Sequence, residues 1–141
     1  MRCQQRGFTL LELLVVLIIA SAMAAIAAPS FEQLLSRVRF AQQGSQLVSL
    51  LQQQAQHARH SGQPRQLTLE PGQILLDQQP LLHLPEGTTL QWQPDRPGAA
   101  LTFFRDGSNS GGQIQLSNGQ QQQQISLHWL TGEVKLDAHQ T

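Results

Sequence analysis

An apolar stretch near the amino terminus constrains this chain more than any other feature of its sequence. Residues 8–28 read FTLLELLVVLIIASAMAAIAA, and the only ionisable side chain among them is the carboxylate of Glu12. About 21 residues at about 1.5 Å per residue make a helix of roughly 31 Å, which matches the hydrocarbon core of a bilayer. The stretch therefore predicts a transmembrane helix over residues 8–28. Arg2 and Arg6 precede it and favour a cytoplasmic amino terminus.

Charge is scarce in the rest of the chain. The 141 residues have a formal net charge of zero, and only 13% of them are charged. The lysine and arginine residues form no large cluster, which argues against electrostatic binding of nucleic acid. The only cysteine, Cys3, precedes the apolar stretch, so the fold must depend on packing without an internal disulfide.

Two simple readings of the amino terminus compete with a functional role for Glu12. Thr9 and Glu12 have the spacing of a helix capping box, in which the carboxylate lies near the positive end of the helix. A secretory signal peptide also combines a basic start, an apolar stretch and A-x-A sites such as the one at residues 22–24. A charge near the start of the apolar region disfavours the signal peptide, whereas the capping box is compatible with a further role.

The heptapeptide RGFTLLE at residues 6–12 resembles the processing site of type IV prepilins and type II secretion pseudopilins. The resemblance implies that residues 1–7 are a leader, that a prepilin peptidase cuts between Gly7 and Phe8, and that the new amine of Phe8 is methylated. It also implies that Glu12 acts in assembly by pairing with the Phe8 amine of a neighbouring subunit. Such a pair lowers the cost of a carboxylate in a low-dielectric interior.

Apolar residues keep a helical spacing beyond the predicted span, over residues 29–62. They recur every three or four residues, at Phe31, Leu34, Leu35, Val38, Ala41, Leu47, Val48, Leu51, Ala55 and Ala58. Gly62 and Pro64 are typical of a helix end, and Pro29 and Gly44 are candidate kinks. These signals predict one helix of roughly 50 residues whose second half is amphipathic.

Residues 63–141 change to an alternating pattern that is typical of strands. Apolar pairs separated by turn signals predict about six or seven short antiparallel strands, with residues 120–124 as a glutamine-rich loop tip. A head of roughly 80 residues buries too little surface by itself, so the amphipathic helix must provide one wall of its core. The predicted fold is α+β and type IV pilin-like.

Two segments of the head resemble minor pseudopilin H (GspH) and its FimT-like relatives. The segment FRDGSNSGGQIQL at residues 104–116 resembles the glycine-serine strand pair of that family, although Arg105 replaces a frequent proline. The segment LHWLTGEV at residues 127–134 resembles the closing hairpin. The positions that carry this resemblance are Asp106, Gly107, Ser108, Gly111, Gly112, Trp129 and Gly132.

The resemblance implies a minor pseudopilin, a structural subunit of the filament that drives export of folded proteins across the outer membrane. Its partners would be other major and minor pseudopilins, the prepilin peptidase and inner-membrane lipid, with the carboxy-terminal head in the periplasm. The alternative is a FimT-like minor type IV pilin that acts in DNA uptake or pilus assembly. That role favours a basic terminal tail, whereas EVKLD at residues 133–137 is balanced in charge.

Signals for enzymatic chemistry are weak. The glycines from Gly107 to Gly112 resemble a phosphate loop only faintly, because Gln113 stands where lysine is required. His57 and His60 share a helix face but have no third metal ligand nearby. Trp92 and Trp129 are expected in the core or in strand pairs and not as ligand platforms. We therefore expect no cofactor, no metal and no catalytic activity.

The processing motif generates the first prediction. Mass spectrometry of the protein extracted from membranes should show a chain that starts at methylated Phe8. Its formal charge should be about −2, because Arg2 and Arg6 leave with the leader. A mature chain starting at or after Ala24 would instead establish the signal-peptide reading.

Overall fold

The computed structural model describes residues 8–137, with the side chains of residues 27–30 excepted. Its elements are α1 (Leu10–Ser61), β1 (Arg65–Glu70), β2 (Gln73–Leu76), β3 (Gln79–His83), β4 (Thr89–Pro94), β5 (Leu101–Phe103), β6 (Gly112–Ser117), β7 (Gln122–Leu127) and β8 (Val134–Asp137). The expected α+β, pilin-like layout of one long helix followed by a small antiparallel head is confirmed. The chain divides into two compact units, one ending at Val38 and the other beginning at Arg39.

The first unit consists of the amino-terminal part of α1. The helix contains an unburied window that is long enough and apolar enough to cross a bilayer. Its apolar side chains are exposed on every side of the helix, and this exposure continues through Phe31, Leu34 and Val38. A helix that is apolar all round is stable in lipid or against other helices and not in water. The apolar residues that directly follow the predicted span, Phe31, Leu34 and Val38, are therefore exposed in this chain.

The second unit contains two four-stranded antiparallel sheets. The first has the order β3-β2-β1-β5 and the second the order β4-β6-β7-β8. Within the first sheet Leu67 of β1 is opposite Leu76 of β2, and in the second Ile114 of β6 is opposite Ile125 of β7. Because side chains alternate along a strand, these registers place one apolar face of each sheet toward the core.

The carboxy-terminal part of α1 completes the core of the second unit. Phe40, Leu47, Leu51 and Ala58 form one buried stripe along this part of the helix. They belong to a single cluster with buried residues of both sheets, namely Leu67, Ile74, Leu90, Leu101, Phe103, Ile114, Leu116, Ile125, Leu127 and Val134. Gln54 is also buried on the helix, and its side-chain oxygen accepts a hydrogen bond of 2.6 Å from Arg65 Nη1. The helix is thus one wall of the core.

The structure adds one strand to those expected from the alternating pattern. β3 contains Pro80, which lacks a backbone N–H, and its register with β2 shifts between Ile74 and Leu75. A proline is tolerated here because β3 is an edge strand. Asp77 and Gln78 take φ angles of 51° and 66°, the left-handed values that a tight two-residue hairpin turn requires. The irregular pattern and the absence of glycine in the turn hid this hairpin from the sequence analysis.

The prediction that residues 120–124 form a loop tip is wrong for most of that segment. β7 begins at Gln122, and the turn before it is held by Asn118, whose Oδ1 accepts from Gln120 N and Gln121 N at 3.1 Å and 2.8 Å. Glutamine side chains continue the strand pairing on the exposed face, where Gln124 Nε2 donates to Gln113 Oε1 at 2.6 Å. Cross-strand amide bonds can stabilise the start of β7, where the apolar alternation of Ile125 and Leu127 has not yet begun.

The packing of the helix generates the second prediction. Leu51→Ala should lower the free energy of unfolding by about 2–5 kcal/mol, because it leaves a cavity in the core. The matched control Leu34→Ala should change it by less than about 0.5 kcal/mol. Leu51 is 0% exposed and Leu34 is 56% exposed. Denaturant unfolding of the full chain in mild detergent, monitored by tryptophan fluorescence, measures the free energy of unfolding of both variants. Equal unfolding midpoints for the two variants would contradict the packing of Leu51 in the core.

Candidate functional site

The start of α1 carries the residues expected to act in processing and assembly. Gly7 lies outside the described residues, and Phe8 is exposed. Thr9 caps the helix, since its Oγ1 accepts a hydrogen bond of 3.2 Å from the backbone N–H of Glu12. This bond is one half of the capping box. The carboxylate of Glu12 is exposed in the first turn of the helix.

In the second unit, three loops between strands form what we call the loop cluster: residues 95–100, 104–111 and 128–133. The sequence-predicted motif residues Asp106, Gly107, Ser108 and Gly111 lie in the second loop, and Trp129 and Gly132 lie in the third. Gly112 is the first residue of β6. The structure thus brings together motif segments that are separated in sequence.

Asn109 joins two of the three loops. Its side chain is 3% exposed; Nδ2 donates to the carbonyl of His128 at 3.2 Å, and Oδ1 accepts from Gly111 N at 2.8 Å. Its backbone N–H donates to the carbonyl of Trp129 at 3.1 Å. Because a buried amide is costly unless its hydrogen bonds are made, Asn109 fixes the two loops in one arrangement. The sequence alone carries no signal for this role of Asn109.

Asp106 organises the tip of the second loop. Its Oδ1 accepts hydrogen bonds from Ser108 Oγ at 2.6 Å and Ser108 N at 2.9 Å. The bond from the Ser108 hydroxyl and then that from the Ser108 backbone lower the pKa of the Asp106 carboxyl below its ordinary value of 3.8. Folding therefore favours the carboxylate, an effect present at neutral pH and lost only as the pH falls through the lowered pKa. Asp106 is an exposed, stably negative group.

Close backbone packing explains two of the motif glycines. A Cβ atom on Gly132 would collide with the carbonyl oxygen of Gly107, and Gly132 has a φ of +71°. A Cβ atom on Gly107 would collide with the guanidinium of Arg59, which lies against this glycine from the end of α1. The second and third loops touch through their backbones, and the helix end covers one of them.

The loops line a groove of about 820 Å³. Its lining combines polar side chains with Phe104, Trp129 and Leu130, which are 40%, 55% and 63% exposed. The expectation that Trp129 lies in the core or in a strand pair is wrong. β7 ends at Leu127, and the hydrogen bond of 2.9 Å from His128 N to Glu133 O closes a loop around Trp129, so the alternation of the strand no longer applies.

Trp92 keeps a structural position. It is half-buried in β4 and packs against the core, and its Nε1 donates to the carbonyl of Ala99 at 2.8 Å. This bond ties the first loop to its own strand. Two other groove residues, Asp95 and Leu130, are not among the site residues predicted from the sequence. The adjacent apolar pair Trp129 and Leu130, which breaks the alternation of a strand, was the available signal.

The arrangement offers groups that are suited to recognition. Within residues 8–137, no group of three or more histidine, cysteine, aspartate or glutamate residues is placed to hold a metal ion. His57 and His60 are exposed on the helix, and His83 and His128 lie on other elements. Exposed aromatic and carboxylate groups beside backbone amides can bind a ligand or another protein.

The contact between the loops generates the third prediction. Gly132→Ala should destabilise the chain by at least about 1 kcal/mol more than Gly119→Ala. Both positions have left-handed φ angles, +71° and +84°, but a Cβ on Gly119 meets nothing within 4 Å. The control therefore measures the backbone strain alone, about 1–2 kcal/mol, and the difference measures the collision with Gly107. The unfolding midpoints of the full chain report the loss of stability in each variant. Equal losses for Gly132→Ala and Gly119→Ala would contradict the contact between the second and third loops.

Comparison with known proteins bears on both ends of the chain. The sequence model described as "Prokaryotic N-terminal methylation motif" matches residues 2–28. Over 142 residues the chain is 26% identical to "Type II secretion system protein H" of Xanthomonas campestris pv. campestris, covering 95% of this chain and 84% of that protein. No solved structure matches the sequence significantly. The motif and the near full-length similarity together confirm the resemblance to minor pseudopilin H that the sequence indicates.

Proposed function

We propose that this chain is a minor pseudopilin, a structural subunit of the filament with which a type II secretion system exports folded proteins across the outer membrane. The observation that carries this proposal is the similarity to type II secretion system protein H, which extends over 95% of the chain and so includes both the helix and the head. A shared helix alone would indicate only membrane insertion. Because the similarity also covers the loop cluster, it supports the proposal that this chain is the same kind of subunit as type II secretion system protein H.

The location follows from the charge and length of the first unit. The apolar part of α1 crosses the inner membrane, with Arg2 and Arg6 on the cytoplasmic side. The head, which begins after the span, lies in the periplasm. A prepilin peptidase removes residues 1–7 and methylates Phe8, as the match to the methylation motif over residues 2–28 supports. The chain is then the substrate of an enzyme and has no catalytic task of its own.

Glu12 directs assembly in this proposal. Its carboxylate is exposed, and only its backbone N–H is used by the Thr9 cap. In a bundle of membrane helices, a carboxylate without a partner is expensive, whereas one beside the Phe8 amine of a neighbour is compensated. Small residues such as Ala20 and Ala24 allow the helices to approach closely. The pair therefore favours one stagger between subunits over other arrangements.

The fourth prediction tests this role in cells that lack the chromosomal copy of the gene. The wild-type chain should restore secretion of the exported proteins into the medium, and Glu12→Ala should not. The variant should still be cut and inserted, because removal of a charge makes insertion easier. Copurification of crosslinked neighbouring pseudopilins should fall with it, which is measured by immunoblotting after mild crosslinking.

Glu32→Ala is the matched control, since Glu32 is an exposed carboxylate on the same helix beyond the span. It should behave as wild type. If Glu12→Ala supports normal secretion and crosslinking, the carboxylate of Glu12 has no role in assembly. If loss of the whole gene leaves secretion intact but abolishes DNA uptake, and the protein binds DNA with a steep salt dependence, the secretion role is wrong.

A further inference from the structure

The turn that joins β6 to β7 carries the dipeptide Asn118-Gly119 at an open position. A backbone nitrogen attacks the side-chain amide of a preceding asparagine most readily when it belongs to glycine, which has no Cβ to crowd the nitrogen or restrict its rotation. Gly119 is exposed, with a φ of +84°, and a Cβ atom there would meet nothing within 4 Å. The surroundings of this turn therefore leave room for the attack and for water.

Hydrogen bonds of the turn activate the side-chain carbonyl of Asn118. Its Oδ1 accepts from the backbone N–H groups of Gln120 at 3.1 Å and Gln121 at 2.8 Å. Two donors on one carbonyl oxygen stabilise the negative charge that develops there when a nucleophile adds to the carbon, as in the oxyanion hole of a hydrolase. The bonds involve Oδ1 only, so they do not retain Nδ2, the group that has to leave.

The attacking nitrogen is held only weakly. Gly119 N donates to Ser117 Oγ at 3.3 Å, which is a long hydrogen bond to a hydroxyl. A hydroxyl both accepts and donates, so it can pass the proton of Gly119 N on to water. The turn thus presents a nucleophile, an activated carbon and a proton acceptor within three consecutive residues.

We propose that Asn118 is a site of spontaneous modification, at which the folded chain deamidates itself. Gly119 N gives up its proton and forms a bond to Asn118 Cγ, and the bond from Cγ to Nδ2 breaks, so that Nδ2 takes up a proton and leaves as ammonia. The product is a cyclic imide. Water then opens the imide: cleavage of the new bond yields aspartate at position 118, and cleavage of the original peptide bond yields isoaspartate.

The other asparagine of the chain lies in an unreactive environment. Asn109 is 3% exposed, and its Nδ2 donates to the carbonyl of His128 at 3.2 Å, which opposes the departure of this nitrogen. The nitrogen of the following residue, Ser110, donates to the carbonyl of Thr102 at 3.0 Å and is held away from an attack. Asn109 is therefore a control within the same molecule.

The two products differ in their effect on the head. Aspartate keeps an oxygen that can accept from Gln120 and Gln121, so the turn survives, but it adds a negative charge beside a sheet face of neutral glutamine amides. Isoaspartate adds one carbon to the backbone between Ser117 and Gln122, which are paired across the strands. A longer turn no longer fits that register, which loosens the start of β7. Because the reaction needs no enzyme, both products accumulate with the age of the subunit.

The fifth prediction follows both asparagines during incubation of the purified full chain in mild detergent. Trypsin cleaves after Arg105 and Lys135 and releases one peptide that contains Asn109 and Asn118. Mass spectrometry should find conversion of the amide to an acid at position 118, at a rate at least about tenfold above that at position 109. The rate at position 118 should rise with pH, because loss of the backbone amide proton precedes the attack. Fragmentation of the peptide should identify both aspartate and isoaspartate.

Unfolding separates the effect of the turn from that of the sequence. In guanidinium chloride neither asparagine is held by the fold, and a sample digested without incubation corrects for conversion during digestion. Modification of Asn118 should be no slower in the folded chain than in denaturant. Asn109 should react at least about tenfold more slowly when folded, because its site must first open locally. Markedly slower conversion of Asn118 in the folded chain would show that the turn holds its amide away from Gly119 N, and would overturn the proposal.

Gly119→Ala tests the identity of the nucleophile. The added methyl group crowds the nitrogen, so conversion at position 118 should slow severalfold, while an unmodified Asn109 confirms that the variant is folded. Conversion at the wild-type rate would exclude attack by this nitrogen and would indicate direct hydrolysis instead. Equal rates at positions 109 and 118 in the folded wild-type chain would likewise contradict the proposed site. None of these outcomes bears on the role of the chain in a filament.

Discussion

The head depends on one contact, the burial of the helix stripe Phe40, Leu47, Leu51 and Ala58 against both sheets. Two four-stranded sheets of short strands expose too much apolar surface to be stable alone. The helix covers that surface and satisfies its own buried polar residue, Gln54, through Arg65 of the first strand. The helix whose amino-terminal part is apolar enough to cross a membrane is therefore also a structural part of the head.

This dependence reaches the loop cluster through the end of the helix. Arg59, one residue after the last buried position of the stripe, lies against Gly107 of the second loop. Gly107 in turn is in backbone contact with Gly132 of the third loop, and Asn109 ties these same loops by hydrogen bonds. Loops held by buried hydrogen bonds and backbone contacts are pre-organised, which reduces the ordering cost of binding. These contacts hold the loops that line the groove in one arrangement.

Regular patterns in the sequence predicted the regular parts of the structure. The long helix, its end near Gly62 and most strands follow from periods of 3.6 and two, because burial of one face imposes those periods. β3 was missed since its proline and its glycine-free turn break the usual signals, and Trp129 was misplaced because the pattern was continued past the end of β7 at Leu127. The contact between Asn109 and His128 could not be predicted, since it depends on how two loops meet in space. Short motifs located the loops but not the groove between them.

The low charge of this chain limits how its head can recognise a partner. With 13% charged residues and a formal net charge of zero, the protein generates no strong long-range field to steer association. Specificity must therefore come from short-range complementarity at a few positions.

On the face of the second sheet the exposed groups are largely glutamine amides that bond to one another, as Gln124 does with Gln113. Such a face is neutral and internally satisfied, and it gives a partner little to bind. The groove differs because it is lined by three large apolar side chains, Phe104, Trp129 and Leu130, that are exposed. Where a partner covers such side chains, burial of their apolar surface supplies the short-range free energy that a weakly charged head needs for recognition.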